Sequence, residues 1–337
     1  MEEKDMKVLV LGGAGYIGSH TVYELIDNGI EAVVIDNLET GFMEAVHPNA
    51  AFYKGDLRDR VFLDSVLTKE KDIDAVIHFA ANSQVGESMT NPLKYYDNNI
   101  CGTKTLLEAL VAHGIDKIVF SSTAATYGEP ECIPIQEGDK TEPTNAYGET
   151  KLSMEKMFKW VEKAHGMRYV SLRYFNACGA HKSGEIGEAH NPETHLIPLI
   201  LQVPLGKREH IAVFGTDYPT KDGTCIRDYI HVTDLAEAHI LAVKYLMAGN
   251  KSDIFNLGNG VGFTVREVID MAEKVTGESI KVVETDRRAG DPAVLIASSE
   301  KAKTILGWNP KHDSLREIIK SAWKWHKSHP YGYKNED

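Results

Sequence analysis

The chain has 337 residues, 42% hydrophobic and 26% charged, with a formal net charge of −12. That length suits one large α/β unit, or a main domain with a smaller partner. The acidity excludes nonspecific nucleic-acid binding, which needs a basic surface to displace counterions, and disfavours docking on anionic lipid.

The elements predicted in chain order begin with an acidic stretch, "MEEKDMKVLV", that passes straight into an apolar strand. It is not a signal peptide, and Met6 is as good a start as Met1. The segment "KVLVLGG" (7–13) predicts a strand, followed by a helical pattern up to Asn28-Gly29 and a second strand, "EAVVID" (31–36). Next come "AFYKGD" (51–56), a helix, and "DAVIHFAA" (74–81). A helix from about Pro92 to His113 leads to "KIVFSS" (117–122), and one from about Ala146 to His165 leads to "RYVSLRYFN" (168–176). Val/Ile/Leu-rich strands alternating with helices imply a doubly wound, Rossmann-like α/β fold with a parallel sheet covered on both faces.

Beyond Asn176 the rhythm breaks. Residues 179–226, which include "GAHKSGEIGEAHNPETHLIP", predict loop with short elements. Segments 227–243 and 253–260 look like a return to the sheet, and 264–277 and 313–328 are amphipathic helices. The expected division is a nucleotide-binding domain from 1–178 plus about 227–260. A smaller, discontinuous α/β lobe from about 179–226 plus 261–337 would then bind substrate. No apolar run approaches the ~20 residues of a membrane span. The four cysteines, Cys101, Cys132, Cys178 and Cys225, show no C-x-x-C or His/Cys spacing. They read as reduced, mostly buried thiols of a cytoplasmic protein, with no metal site or disulfide frame.

The strongest local motif is "LVLGGAGYIGSH", in which Gly12, Gly15 and Gly18 lie between a strand and a helix. Glycine suits a tight turn whose amides approach a pyrophosphate at a helix N-terminus, and Tyr16 and Ile17 lie in the same loop. The competing reading is a turn that packs helix closely on strand. Asp36 ends the next strand eighteen residues after Gly18, with Asn37 beside it. A carboxylate there accepts from both adenosine ribose hydroxyls and repels a 2′-phosphate, so the expected cofactor is NAD, not NADP. Asp56, followed by Leu57, is a candidate for the adenine edge or else a turn aspartate.

"NAYGETK" places Tyr147 and Lys151 one helical turn apart. Alone, that favours two solvated side chains. With a nucleotide loop upstream and Ser121, Ser122 and Thr123 at a strand end, it becomes a candidate proton-transfer centre, because ligands gather at the carboxyl ends of parallel strands. A phenol titrates near ~10. An ammonium from Lys151 and a positive nicotinamide ring would both favour the phenolate.

Together, G-x-x-G-x-x-G, the strand-end hydroxyl and Tyr-x-x-x-Lys resemble the extended short-chain dehydrogenase/reductase superfamily. "VIHFAA", "YYDNN", "AYGETK", "LRYFNACGAH", "GTCIRDYIHVTDLA" and "NLGNG" are similar to the UDP-glucose 4-epimerases within it. The resemblance runs from about residue 7 to 333. It implies NAD-dependent, reversible inversion of C4 in UDP-glucose and UDP-galactose through a 4-keto sugar. Tyr147 would take the 4-hydroxyl proton as C4 gives hydride to NAD, Thr123 would bond the 4-oxygen, and Lys151 would assist. It further implies that Phe79, Ala80, Asn98, Ser121 and Tyr174 line the cofactor. Asn176, Arg227, Tyr229, Arg288 and Asp291 would hold the UDP part, the arginines by bidentate bonds to diphosphate, with an Arg227–Asp228 ion pair as the competing reading. Leu196, Ala212 and Phe214 would wall the uracil or simply pack. A homodimer is expected through the helices near 92–113 and 146–165.

Three positions depart from the pattern. Ser83 stands where some members have a phosphate-contacting lysine. His195 replaces an asparagine that meets the diphosphate or sugar. Leu295 replaces a tyrosine that bounds the sugar's 2-substituent, which opens the site to UDP-N-acetyl sugars unless Leu295 is core. A UDP-glucuronate or N-acetyl-specific 4-epimerase, or a decarboxylase, stays open on these motifs. A 4,6-dehydratase is disfavoured because Ala124 and Ala125 stand where it needs acid and base, and a non-catalytic NAD sensor need not keep Tyr147, Lys151 and Thr123.

Overall fold

The computed structural model describes residues 6–288 and 292–333. Its first half alternates as expected: β1 (Lys7–Leu11), α1 (Tyr16–Asp27), β2 (Glu31–Asp36), β3 (Ala51–Lys54), α2 (Arg60–Lys69), β4 (Ala75–His78). The short helix α3 (Val85–Thr90) follows. The single helix expected near 92–113 is instead α4 (Pro92–Tyr95), a turn of π-helix over Tyr96–Cys101, and α5 (Gly102–Ala112). π turns of this kind concentrate at functional sites, because the extra residue re-aims neighbouring side chains. Then come β5 (Lys117–Ser121), α6 (Ala146–His165) and β6 (Arg168–Tyr174). Helix α6 is fixed at both ends: Asn145 Oδ1 accepts from the Gly148 amide at 2.8 Å, and Gly166 ends it with φ 75°.

β7 (Asn176–Cys178) does not prolong β6, as a single 168–176 strand would. The chain turns to pair with β10 (Tyr229–His231) in a separate two-stranded sheet. Between them lie α7 (Leu196–Leu201), β8 (Ile211–Phe214) and β9 (Ile226–Arg227). The return at 227–243 is therefore mostly α8 (Val232–Met247), whose "VTDLAEAHILAV" packs with helical periodicity, and β11 (Asp253–Leu257) alone rejoins the main sheet. The remainder is β12 (Phe263–Thr264), α9 (Val265–Thr276), β13 (Val282–Thr285), β14 (Val294–Leu295) and α10 (Leu315–Ser328).

The seven-stranded parallel sheet runs β11-β6-β5-β4-β1-β2-β3. Its strands are apolar on both faces because both are covered. One face packs on α1 and α8, with Val22, Leu25, Leu235 and Val243 in the core. The other packs on α2, α5 and α6, through Leu63, Leu106 and Phe158. A third core, built from Ile197, Ile200, Val213, Val268, Ile318 and Ile319, joins α7, β8, α9 and α10. Cys178 and Cys225 are buried, but Cys101 and Cys132 are exposed, so the thiols are not mostly buried.

Four of the buried histidines are held neutral by their surroundings. Burial lowers His20, His78 and His231 to about 3 and His239 to about 4. The unfolded chain takes up these protons near pH 6.5. Their contribution to stability is therefore complete above that pH and is lost as pH falls towards 3–4. Asp228, raised to about 6 by burial, opposes part of this. Unfolding free energy is expected to drop by up to about 4 kcal/mol per pH unit near pH 6. Urea midpoints measured from pH 7.5 to 5.5 check this, and a flat series would contradict it.

Candidate active site

The sheet order reverses between β4 and β1, and the loops leaving these two strands meet there. Gly12 has φ 80°, and a Cβ on it would sit 2.7 Å from the Ala80 amide nitrogen. A side chain at Gly18 would come within 2.1 Å of the Gly12 carbonyl oxygen. Helix α1 then begins at Gly15 with neither a capping side chain nor an acidic residue in its first turn, where Tyr16 and Ile17 lie. The first-turn amides and the positive end of the helix dipole thus face an open anion cradle. These residues fit a dinucleotide.

At the end of β2, Asp36 is buried and accepts from the Ala14 amide at 3.0 Å and the Leu38 amide at 2.8 Å. Burial raises its pKa, and those two bonds oppose the rise. Asp56 is engaged by its own surroundings. Arg58 binds both carboxylate oxygens and Asn37 donates to one at 3.2 Å, which takes its pKa down to about 2. These contacts fit the turn reading of Asp56. The following Leu57 is buried, and Ser83 is exposed.

The catalytic candidates converge at the carboxyl end of β5. Thr123 is extended and caps a short turn, accepting from the Ala125 amide at 3.1 Å. Gly148 allows α6 to start against that turn, because a Cβ there would lie 2.5 Å from the Ala125 carbonyl oxygen. The close approach brings the Tyr147 phenol to the Thr123 hydroxyl. One turn on, Lys151 is buried, donates to the Ser121 carbonyl at 2.9 Å, and has its ammonium 5.8 Å from the Tyr147 ring centroid.

The electrostatics of the chain alone show what the cofactor has to add. Burial pushes Tyr147 up to about 12, and the bond with Thr123 is the influence that opposes it, not Lys151. Burial also pulls Lys151 down to about 7 against the attraction of Glu155. A dry site favours the neutral form of both groups. The protein's own groups therefore do not make Tyr147 a base at neutral pH. A positive charge beside the phenol has to.

Several supports were missed by sequence reasoning. Arg173 on β6 pairs with Glu155 through two bonds, one of 3.0 Å, and Ser122 donates to the same carboxylate at 2.5 Å. Asn99, in the π turn, donates to Thr150 at 3.0 Å and accepts from the Asn82 amide at 2.8 Å, while the expected Asn98 bonds Asn99 at 3.0 Å. Ser121 Oγ meets the Tyr174 hydroxyl at 2.5 Å. Phe79 and Tyr174 both pack on His239, with ring centroids 4.6 and 6.2 Å away. Glu155 lies one helical turn after Lys151, but nothing local marks Arg173 as its partner.

On the other side of the cleft, Asn176 is exposed and bonds the Asp228 carbonyl at 2.8 Å, opposite the buried Tyr229 in the β7–β10 pair. Arg227 donates to the carbonyls of Ile226 and Pro292, at 2.9 and 2.8 Å. The Asp228 carboxylate accepts from the amides of Asn259, Gly260 and Ala297, so backbone satisfies it. Leu295 lies beside Arg227 in register and is partly buried, not a core leucine. Arg288 stacks on Phe214 at 3.9 Å, near Ala212 on the same strand. Leu196 packs against the third core. His195 bonds the buried carboxylate of Glu188 through Nδ1 and is otherwise half exposed. Asp291 lies outside the described residues.

The sequence profile of the NAD dependent epimerase/dehydratase family matches residues 8–258. A UDP-glucose 4-epimerase of Halalkalibacterium halodurans is 59% identical over 98% of this chain and 99% of its own length. The solved structure of a UDP-glucose 4-epimerase from Brucella ovis in complex with NAD is 47% identical, covering 94% of this chain and 97% of that one, with a TM-score of 0.92. Another, from Bifidobacterium longum in complex with NAD+ and UDP, is 38% identical over 97% and 100% of the two chains, with a TM-score of 0.91. The chain belongs to the NAD dependent epimerase/dehydratase family.

Proposed function

We propose that this chain is an NAD-dependent UDP-glucose 4-epimerase, an isomerase that interconverts UDP-glucose and UDP-galactose by inverting C4. The observation that carries this reading is the meeting of Thr123, Tyr147 and Lys151 at the carboxyl end of β5, in a chain 59% identical to a curated enzyme of that activity. Bound NAD supplies a hydride acceptor and donor, and in its oxidised form a positive ring. Tyr147 takes the proton from the sugar's 4-hydroxyl and returns it after the 4-keto sugar has turned. Thr123 holds the 4-oxygen, Lys151 is anchored on the Ser121 carbonyl one turn from the phenol, and the charge that favours the phenolate comes with the oxidised cofactor. Arg227 and Arg288 suit the diphosphate. Ala124 and Ala125 carry no proton, which leaves dehydration unsupported. Purified protein supplied with NAD is expected to convert UDP-galactose to UDP-glucose; no conversion would sink the reading.

The two cores on the sheet and the third core support a nucleotide lobe and a UDP-sugar lobe. Leu295 beside Arg227 favours acceptance of UDP-N-acetyl sugars as well. Leu295→Tyr is expected to lower turnover of UDP-N-acetylgalactosamine at least tenfold relative to UDP-galactose, by the crowding of an overfilled site. An unchanged ratio of the two rates would reject this role.

A second copy of the chain is the expected partner, through α5 and α6. Their outer face carries the partly buried Val111, Met157 and Val161 and Trp160, the last 65% exposed. An apolar patch of this kind is characteristic of an interface between subunits. Sedimentation should find a dimer for the unaltered protein and a monomer for Trp160→Glu; a dimer in both would place the interface elsewhere. No helix among the described residues is long and apolar enough to cross a membrane, and the location we propose is cytoplasmic.

A further inference from the structure

The loop "GEAHNPETH" gathers four side chains that the epimerase chemistry does not use as a set. Glu188, His190, Glu193 and His195 each direct a ligand-type atom into one volume, all within 4.8 Å of one another. His190 Nδ1 lies 3.3 Å from a Glu188 oxygen and 3.6 Å from a Glu193 oxygen, and His195 Nδ1 lies 3.9 Å from Glu193. His195 Nδ1 also touches the Glu188 oxygen. A tetrahedral ion bound at about 2.0–2.1 Å separates its ligand atoms by roughly 3.3 Å, the scale of the two His190 contacts and the His195–Glu193 contact, while the direct His195–Glu188 hydrogen bond has to open to admit the ion. His190 Nδ1 is paired with both carboxylates, so its ring nitrogen already faces the volume that they share.

From this geometry we infer that Glu188, His190, Glu193 and His195 form a binding site for a divalent transition metal, zinc by preference. Two imidazoles disfavour calcium and magnesium, which take oxygen ligands. Two carboxylates neutralise a dication, so the buried Glu188 gains a compensating charge. Four protein ligands leave no open position, and the role is structural.

The loop is already tied to two elements that the ion would join more firmly. Trp325 on α10 donates to the Glu188 carbonyl at 3.1 Å. The His190 ring stands edge-on to Tyr16 of the cofactor cradle, 6.0 Å between centroids, and Tyr16 donates to the Gly179 carbonyl at 2.6 Å. The ion fastens this loop between the cradle helix and the C-terminal helix. The sequence reading passed over it because it searched for cysteine spacings and took the stretch as loop.

The test is metal stoichiometry of the full-length protein after chelator treatment, reloading with zinc and gel filtration. About one zinc per chain is expected, with loss to roughly a tenth or less in His190→Ala and in Glu193→Gln, each checked for native circular dichroism. Asp27→Asn, in the neighbouring Glu24, Asp27 and His181 cluster, should keep its zinc. Cobalt bound to the unaltered protein should give the intense visible bands of a tetrahedral site, a readout that needs no variant to fold. Negligible zinc in the unaltered protein, full zinc in folded His190→Ala, loss in Asp27→Asn, or a weak octahedral cobalt spectrum would each overturn the site.

Discussion

Tyr147→Phe is expected to lower kcat for UDP-galactose by about a thousandfold, within the range for loss of a general base, while UDP binding is retained. The phenyl ring keeps the packing at the start of α6, and only the hydroxyl beside Thr123 is lost. The burial that pushes the phenol up to about 12 also explains why no neighbour substitutes. Among the described residues, Lys151 is the nearby cation, and its ammonium is committed to the Ser121 carbonyl. Steady-state rates with calorimetric UDP titration separate the two effects. A fall in affinity matching the fall in rate would assign Tyr147 to binding instead.

The largest stability effect is expected at Glu155, which touches no substrate. Its carboxylate and the Arg173 guanidinium are each 4% exposed, so removing one partner leaves a buried charge uncompensated. Glu155→Ala should cost about 3–5 kcal/mol, a fall of roughly 4–7 °C in Tm. The double variant Glu155→Ala with Arg173→Leu should recover a good part of that loss, because the unpaired guanidinium is gone. Glu155 also supports the charge of Lys151 from one turn away, so activity in Glu155→Ala should fall beyond what unfolding explains. Urea titration of the single and double variants measures the first claim, and a single variant as stable as the unaltered protein would reject it.

The nucleotide half was legible because its signals are local. A run such as "VLVL" before glycines, and Asp36 at a strand end, act within a few residues of themselves. Tyr147 and Lys151 needed only helix periodicity and a neighbouring loop to acquire meaning. What escaped the sequence depends on partners far along the chain. Glu155 finds Arg173 across the β6–α6 packing, β7 leaves β6 to meet β10, and the Asp228 carboxylate is satisfied by amides near Asn259 and Ala297. The phenol's pKa escaped for a similar reason. The sequence shows a lysine one turn from Tyr147, but only the fold shows that both are enclosed and that burial outweighs their attraction. His195 reads as a substrate contact from its place in a motif, but its bond with Glu188, seven residues back, shows only in the fold.

The central claim is that C4 loses and regains the same hydrogen within one site while Tyr147 carries the proton. UDP-galactose deuterated at C4, mixed with unlabelled substrate and followed to UDP-glucose by NMR, tests it directly. The account predicts that nearly all deuterium stays at C4 of the molecules that entered with it. Deuterium lost to solvent, or passed to the unlabelled substrate, would contradict it.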